Sequence, residues 1–91
     1  MSLFSLAELE AAVPLVRTVV PPTPQHAWPL LAKRTGAQVW VKHENHTPTG
    51  AFKVRGGVVY LDGLKRNTPK LKGVVTATRG NHSQSIALAA A

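Results

Sequence analysis

Lys53 stands just past a Pro-x-Gly turn, in the string Lys42-His-Glu-Asn-His-Thr-Pro-Thr-Gly-Ala-Phe-Lys-Val-Arg-Gly-Gly57. A lysine amine attacks carbonyl carbon and forms a Schiff base, and it can move protons at a neighbouring carbon. To be a nucleophile near neutral pH it must be partly desolvated. Phe52, Val54 and the preceding turn are expected to provide those surroundings. An isolated lysine is ordinarily exposed and inert, so the reading rests on the whole string. A second block, Thr78-Arg79-Gly80-Asn81-His82-Ser83-Gln84, follows 28 positions after Lys53, counted to Asn81. Gly80 permits close backbone approach, and a helix starting there presents unspent N–H groups with partial positive charge, a natural seat for a carboxylate. Taken alone, Gly-Asn-His reads as a turn followed by a helix cap.

The elements that must position these blocks are legible in outline. Ser5 caps a first helix and Glu8 completes a capping box. Leu6, Leu9 and Val13 share one face of that helix. Pro14 either kinks it or begins a second short helix carrying Leu15, Val16, Val19 and Val20. Pro21-Pro22-Thr23-Pro24 forces an extended crossing. Pro29 suits the first turn of a helix through Leu30, Leu31 and Ala32 that Gly36 ends. Residues 38–42 read as a strand with Val39 and Val41 on one side and Trp40 on the other. A helix from about Ala51 to Arg66 presents Phe52, Val59, Leu61 and Leu64, with Gly56 and Gly57 small enough for close packing. Asn67-Thr68-Pro69 breaks it, residues 73–77 read as a short buried strand, and a last helix runs from about Asn81 to Ala91. The alternation of helix and strand predicts an α/β layer with short parallel strands flanked by helices.

Composition narrows the function classes. At 91 residues there is room for one small domain with a modest core, and 44% hydrophobic content argues against disorder. The net charge of +7 suggests nucleic acid, but the basic residues are scattered and aromatics make up only 5%. Nucleic-acid binding is therefore not expected. With no cysteine there is neither a disulfide framework nor a thiolate metal site. His26, His43, His46 and His82 are too dispersed for a metal site. The N-terminal stretch carries Glu8 and Glu10 where a signal peptide is apolar. No apolar run approaches the roughly 20 residues that span a bilayer, and a cytoplasmic protein without membrane contact is expected.

The two blocks resemble the lysine site and asparagine loop of pyridoxal-phosphate enzymes of the tryptophan synthase β-like fold, nearest the threonine/serine dehydratases. The family string Lys-x-Glu, then Pro-x-Gly-Ser-Phe-Lys-x-Arg-Gly, is met by Lys42, Glu44, Pro48, Gly50, Phe52, Lys53, Arg55 and Gly56, with Ala51 in place of serine. The resemblance implies that Lys53 holds pyridoxal 5'-phosphate, that Phe52 and Asn81 contact it, with Asn81 on the 3-hydroxyl, and that Thr78, Arg79, Gly80, Asn81 and His82 wrap the carboxylate of an amino acid substrate. It implies a dehydratase (ammonia-lyase) that turns a β-hydroxy amino acid, threonine or serine-like, into a 2-oxo acid and ammonia, and a homo-oligomer. Arg79 departs from the small residue usual there. Its guanidinium stays protonated, which disfavours racemization, and it either meets an extra anionic group on the substrate or points outward. A dehydratase branch of hydroxyectoine breakdown looks similar around Thr-Pro-Thr-Gly-Ala-Phe-Lys and Ala-Thr-Arg-Gly-Asn-His, giving an alternative substrate assignment.

Residues 1–91 are expected to be the truncated N-terminal portion of such a catalytic region, inactive alone. Ile86 to Ala91 carries no helix stop, and the glycine-rich phosphate cradle and the partner of the pyridine nitrogen belong further downstream in the family. Two other classes remain beside the enzyme: a non-catalytic fragment that associates through exposed apolar surface, and a small basic binding module whose affinity would fall with salt.

Overall fold

A computed structural model describes residues 2–91. The element order is α1 (Leu6–Arg17), β1 (Gln25–Ala27), α2 (Pro29–Thr35), β2 (Trp40–Lys42), a single 3-10 turn (Glu44–His46), α3 (Lys53–Asn67) and α4 (Asn81–Ala90). The capping box at Ser5 is formed: the Ser5 N–H donates to Glu8 Oε2 at 2.6 Å, and the Glu8 N–H donates to Ser5 Oγ at 3.2 Å. Pro14 lies inside α1, which continues past it to Arg17. Val19 and Val20 therefore fall beyond the helix, where Val20 is fully buried. Pro29 sits in the first turn of α2, and Gly36 closes that helix in the left-handed conformation.

The strands correct the expected sheet. β1 and β2 pair antiparallel, not parallel, with Gln25 opposite Lys42, His26 opposite Val41 and Ala27 opposite Trp40. The chain reverses through α2 and Gly36, so that β2 returns alongside the extended segment that leaves the proline run. Backbone bonds from Trp28 N–H to the Val39 carbonyl (3.2 Å) and from His43 N–H to the Pro24 carbonyl (2.8 Å) extend the ribbon at both ends. Residues 73–77 form no strand and are exposed, Val75 almost completely at 98%. Among the described residues, no strand lies beside this segment to take its N–H and C=O groups, and a lone strand is not held.

The core is small. Val20, Val54 and Val58 are buried together, with Leu15, Val16, Val19 and Ala89 packed against them. The buried face of α3 is Val54, Gly57, Val58 and Leu61, an i, i+3, i+4, i+7 stripe. The face expected from Phe52, Val59 and Leu64 is not the buried one: of the expected residues Leu61 is buried and Leu64 half-buried, and the helix starts at Lys53 rather than Ala51. Phe52 is 61% exposed and Val59 is exposed as well. On α4, the corresponding stripe of His82, Ser85, Ile86 and Ala89 is the half-buried to buried face. α3 against α4 is the most extensive contact between helices.

Much apolar surface stays open. Phe4, Leu6, Leu9 and Val13 of the N-terminal segment are exposed. An open groove of about 660 Å3 runs between α1 and α3. The radius of gyration is 16.3 Å, against about 12 Å for a compact domain of this length. No helix among the described residues is long and apolar enough to cross a membrane.

Candidate active site

The lysine block is held by three sets of polar contacts. Thr47 forms the first, because its Oγ1 accepts the Ala51 N–H at 2.9 Å and donates to the Ala51 carbonyl at 2.6 Å. Gly50 turns the chain with φ 74°, and its N–H donates to the Thr47 carbonyl at 2.9 Å. That left-handed conformation favours glycine, which explains the Pro-x-Gly signature. Glu44 forms the second set. It accepts two bonds from Arg55 (Nε to Oε2 at 2.7 Å, Nη2 to Oε1 at 3.0 Å) and one from Thr23 Oγ1 at 2.5 Å. Lys42 Nζ approaches Glu44 Oε1 at 3.8 Å. Arg55, hydrogen-bonded through its fork, holds the Glu44 carboxyl down at about 2, with Thr23 and Lys42 adding to the effect. The same bond raises the Arg55 guanidinium. The conjunction of Lys-x-Glu with the arginine two places after the lysine is thus a structural clamp between the end of β2 and the first turn of α3.

The third contact reaches from the other block. Ser85 Oγ donates to the Lys53 carbonyl at 2.8 Å, and Ser85 is fully buried. The backbone of Lys53 is therefore fixed while its side chain stays free. The Lys53 amine makes no hydrogen bond or ion pair among the described residues. The desolvation expected from Phe52 and Val54 is not present. Val54 turns into the core, Phe52 faces out, and Lys53 is itself exposed.

Lys53 instead borders a cleft of about 500 Å3 between α3, the segment 74–76 and the first turn of α4. Gly56, Gly57 and Tyr60 line it on the α3 side, Val74 and Val75 across from them, and His82 and Ile86 at α4. Of the residues expected in the site, Lys53 and His82 share this cleft. Phe52, Thr78, Arg79, Gly80 and Asn81 do not line it, and all five are exposed.

The asparagine loop has its own local order. The Gly80 N–H donates to Thr78 Oγ1 at 3.0 Å, and the Gly80 carbonyl accepts from both the N–H (3.0 Å) and the hydroxyl (2.5 Å) of Ser83. Gly80 adopts φ 151° and ψ −83°, a conformation closed to residues with a Cβ. α4 begins without a side-chain cap, leaving the Asn81 and His82 N–H groups without a partner among the described residues. Arg79 forms no ion pair among the described residues.

Residues 16–91 match the family described as pyridoxal-phosphate dependent enzyme. The chain belongs to that family. Its cofactor is pyridoxal phosphate. The chain is similar to the biosynthetic L-threonine dehydratase IlvA of Lactococcus lactis, 36% identical over 88 residues, which are 97% of this chain and 21% of that protein. An L-threonine ammonia-lyase of Thermotoga maritima is 35% identical over 97% of this chain and 22% of its own length. An L-threo-3-hydroxyaspartate ammonia-lyase of Saccharomyces cerevisiae is 39% identical over 82% of this chain and 23% of its own length. The chain thus spans about a fifth of the length of these relatives. The donor set fits the cofactor. Lys53 offers an unpaired amine beside a cleft with apolar and glycine walls, where a flat aromatic ring can lie, and α4 offers unpartnered N–H groups beside the same cleft.

Sequence reasoning missed one cluster. Trp28 meets His26 and His43 edge to face with ring centroids 5.4 and 5.6 Å apart, His26 and His43 are tilted at 5.7 Å, and His46 follows at 6.3 Å from His43. Trp28 Nε1–H donates to His43 Nε2 at 2.9 Å. His26 and Trp28 are distant in sequence from His43 and His46, and the β1–β2 pairing brings the two groups together.

Proposed function

We propose that this chain carries the lysine and asparagine blocks of a pyridoxal-phosphate-dependent dehydratase (ammonia-lyase), which converts a β-hydroxy amino acid of the threonine or serine type into a 2-oxo acid and ammonia. The observation that carries the reading is the unpaired Lys53 amine at a cleft shared with the first turn of α4. Bound cofactor supplies an electron sink for the substrate α-carbon. Lys53 binds the cofactor aldehyde and, once freed, takes the proton from the substrate α-carbon. Thr78, Gly80, Asn81 and His82 hold the substrate carboxylate at the start of α4, where N–H groups and the helix dipole favour an anion. Asn81 would meet the cofactor 3-hydroxyl, and Phe52, next to Lys53 in the chain, would contact the cofactor. Residues 1–91 act as the N-terminal part of a larger catalytic region. The relatives' greater lengths and the uncovered apolar faces of α1 and α3 support that reading.

Arg79 supports a second assignment of substrate. Its unpaired guanidinium lies between Thr78 and Gly80, and one relative acts on a hydroxyamino acid with a second carboxylate. A substrate with an additional anionic group is the variant this favours. The hydroxyectoine-breakdown assignment draws on the same string of residues.

The test is borohydride reduction of the intact protein with pyridoxal phosphate, followed by peptide mapping and an assay of 2-oxo acid release. Label confined to Lys53, and loss of both label and activity in Lys53→Ala, are expected. Activity retained in Lys53→Ala would refute the assignment.

A further inference from the structure

The contact between Ser85 and the start of α3 has a feature that the lysine chemistry alone does not require. Ser85 Oγ occupies the place of a side chain at Gly57. A Cβ built on Gly57 would stand 2.0 Å from Ser85 Oγ, 3.3 Å from Ser85 Cβ and 3.2 Å from its carbonyl oxygen. Gly56, its neighbour, would meet nothing within 4 Å. The missing side chain at 57 thus leaves the gap through which the hydroxyl reaches the Lys53 carbonyl at 2.8 Å. In an α-helix the same carbonyl is the acceptor for the N–H of residue 57, so Lys53, Gly57 and Ser85 form one closed triangle. Ser85 lies one turn after Asn81 on α4, and four positions apart is one face of a helix.

We propose that Ser85 is a positioning residue, and that Gly57 is small in order to admit it. Together they fix the first turn of α3, and the stem of Lys53, against the helix that starts at the asparagine loop. The proposal rests on Lys53 being the cofactor lysine. Ser85 touches neither substrate nor cofactor. It acts by setting the distance between the amine that holds the cofactor and the N–H groups that meet the carboxylate. A hydroxyl suits this role because it is buried with its donor satisfied, and a buried hydrogen bond resists sliding of one helix along another.

The test is a double-substitution cycle in the intact protein, with Gly57→Ala, Ser85→Gly and the pair, read by the Kd for pyridoxal phosphate in a visible titration and by the melting temperature without cofactor. Gly57→Ala pushes the hydroxyl off the Lys53 carbonyl, and a rise in Kd of about tenfold is expected. Ser85→Gly removes the hydroxyl and the Cβ, leaving the carbonyl oxygen of residue 85 at 3.2 Å as the remaining near neighbour. Adding Gly57→Ala to it should therefore change Kd by less than about twofold, so the two effects should not add. An unchanged Kd in Gly57→Ala with a lowered melting temperature would overturn the proposal, since packing alone would then account for the contact. Singles whose effects multiply in the pair would overturn it too. Should Gly57→Ala fail to fold, Ser85→Gly alone decides: loss of the bond to the Lys53 carbonyl should raise Kd about tenfold, and an unchanged Kd would overturn the proposal. Peptide mapping of the unsubstituted protein isolates the underlying reading: label away from Lys53 would overturn that reading and this proposal with it, whatever the cycle gives.

Discussion

Glu44→Gln removes the negative charge and one of the two oxygens that accept from the Arg55 fork, and should weaken the protein most at neutral pH. With its carboxyl brought from 4.5 to about 2, the pair has a ceiling of about 3 kcal/mol, at roughly 1.4 kcal/mol per tenfold. Both side chains keep some access to solvent, 20% for Glu44 and 26% for Arg55, and solvent screening reduces the figure to about 1–2 kcal/mol. The pH course follows from the direction of the shift. A carboxyl depressed in the folded state contributes its full stability above its unfolded value, and that contribution is lost as pH falls through 4.5 toward about 2. Urea unfolding of the intact protein at a series of pH values measures it. The unsubstituted protein should exceed Glu44→Gln in stability at neutral pH, and the two curves should converge toward about pH 2. Glu8 is also depressed, through the Ser5 N–H. It remains in both proteins, so the difference between the curves isolates Glu44. Parallel curves across the whole range would refute the clamp.

Other substitutions probe single contacts. Ser5→Ala removes the acceptor of the Glu8 N–H and should cost about 1 kcal/mol, seen as faster amide exchange in the first turn of α1. Gly56→Ala fills open space inside a helix and should stabilise by roughly 0.5–1 kcal/mol, whereas Gly57→Ala should destabilise; thermal melts of the two neighbours give opposite signs if the gap at 57 is real. His43→Ala should alter Trp28 fluorescence by freeing its N–H to water. Trp28 is exposed, so the change in unfolding free energy should stay below about 0.5 kcal/mol.

Local rules carried far along this chain. The capping box at Ser5, the Pro29 start and Gly36 end of α2, the turn into α3 and the start of α4 at Asn81 each follow from neighbouring residues, and each was legible. Pairing was not. Nothing in Gln25-His26-Ala27 has the β-branched pattern of a strand, so its antiparallel bond to Trp40–Lys42 came from the course of the chain through α2. The segment 73–77 has the composition of a buried strand but no partner among the described residues, and composition alone cannot show that. In the site, the lysine and the asparagine loop were read from their types and spacing. Ser85 carries no signal of its own in the sequence. The only sequence signal for it was Gly57, a small residue that the reading could not tell apart from Gly56. Glu44 and Arg55 were noticed as letters of a motif, and their bidentate bond needed the structure.

The segment from Thr68 to Gly80 is exposed throughout and forms no regular element, yet it carries Thr78 and Arg79 into the start of α4. Apart from Gly80, whose φ of 151° is closed to other residues, and Thr78, which accepts the Gly80 N–H, these exposed positions tolerate replacement at little cost in stability. The lysine frame, by contrast, is pinned through Thr47, Glu44, Arg55 and Ser85. Under the proposed function, substitutions at the exposed positions of this loop alter the carboxylate end of the site at little cost to the fold, while the pinned backbone of Lys53 stays where it is.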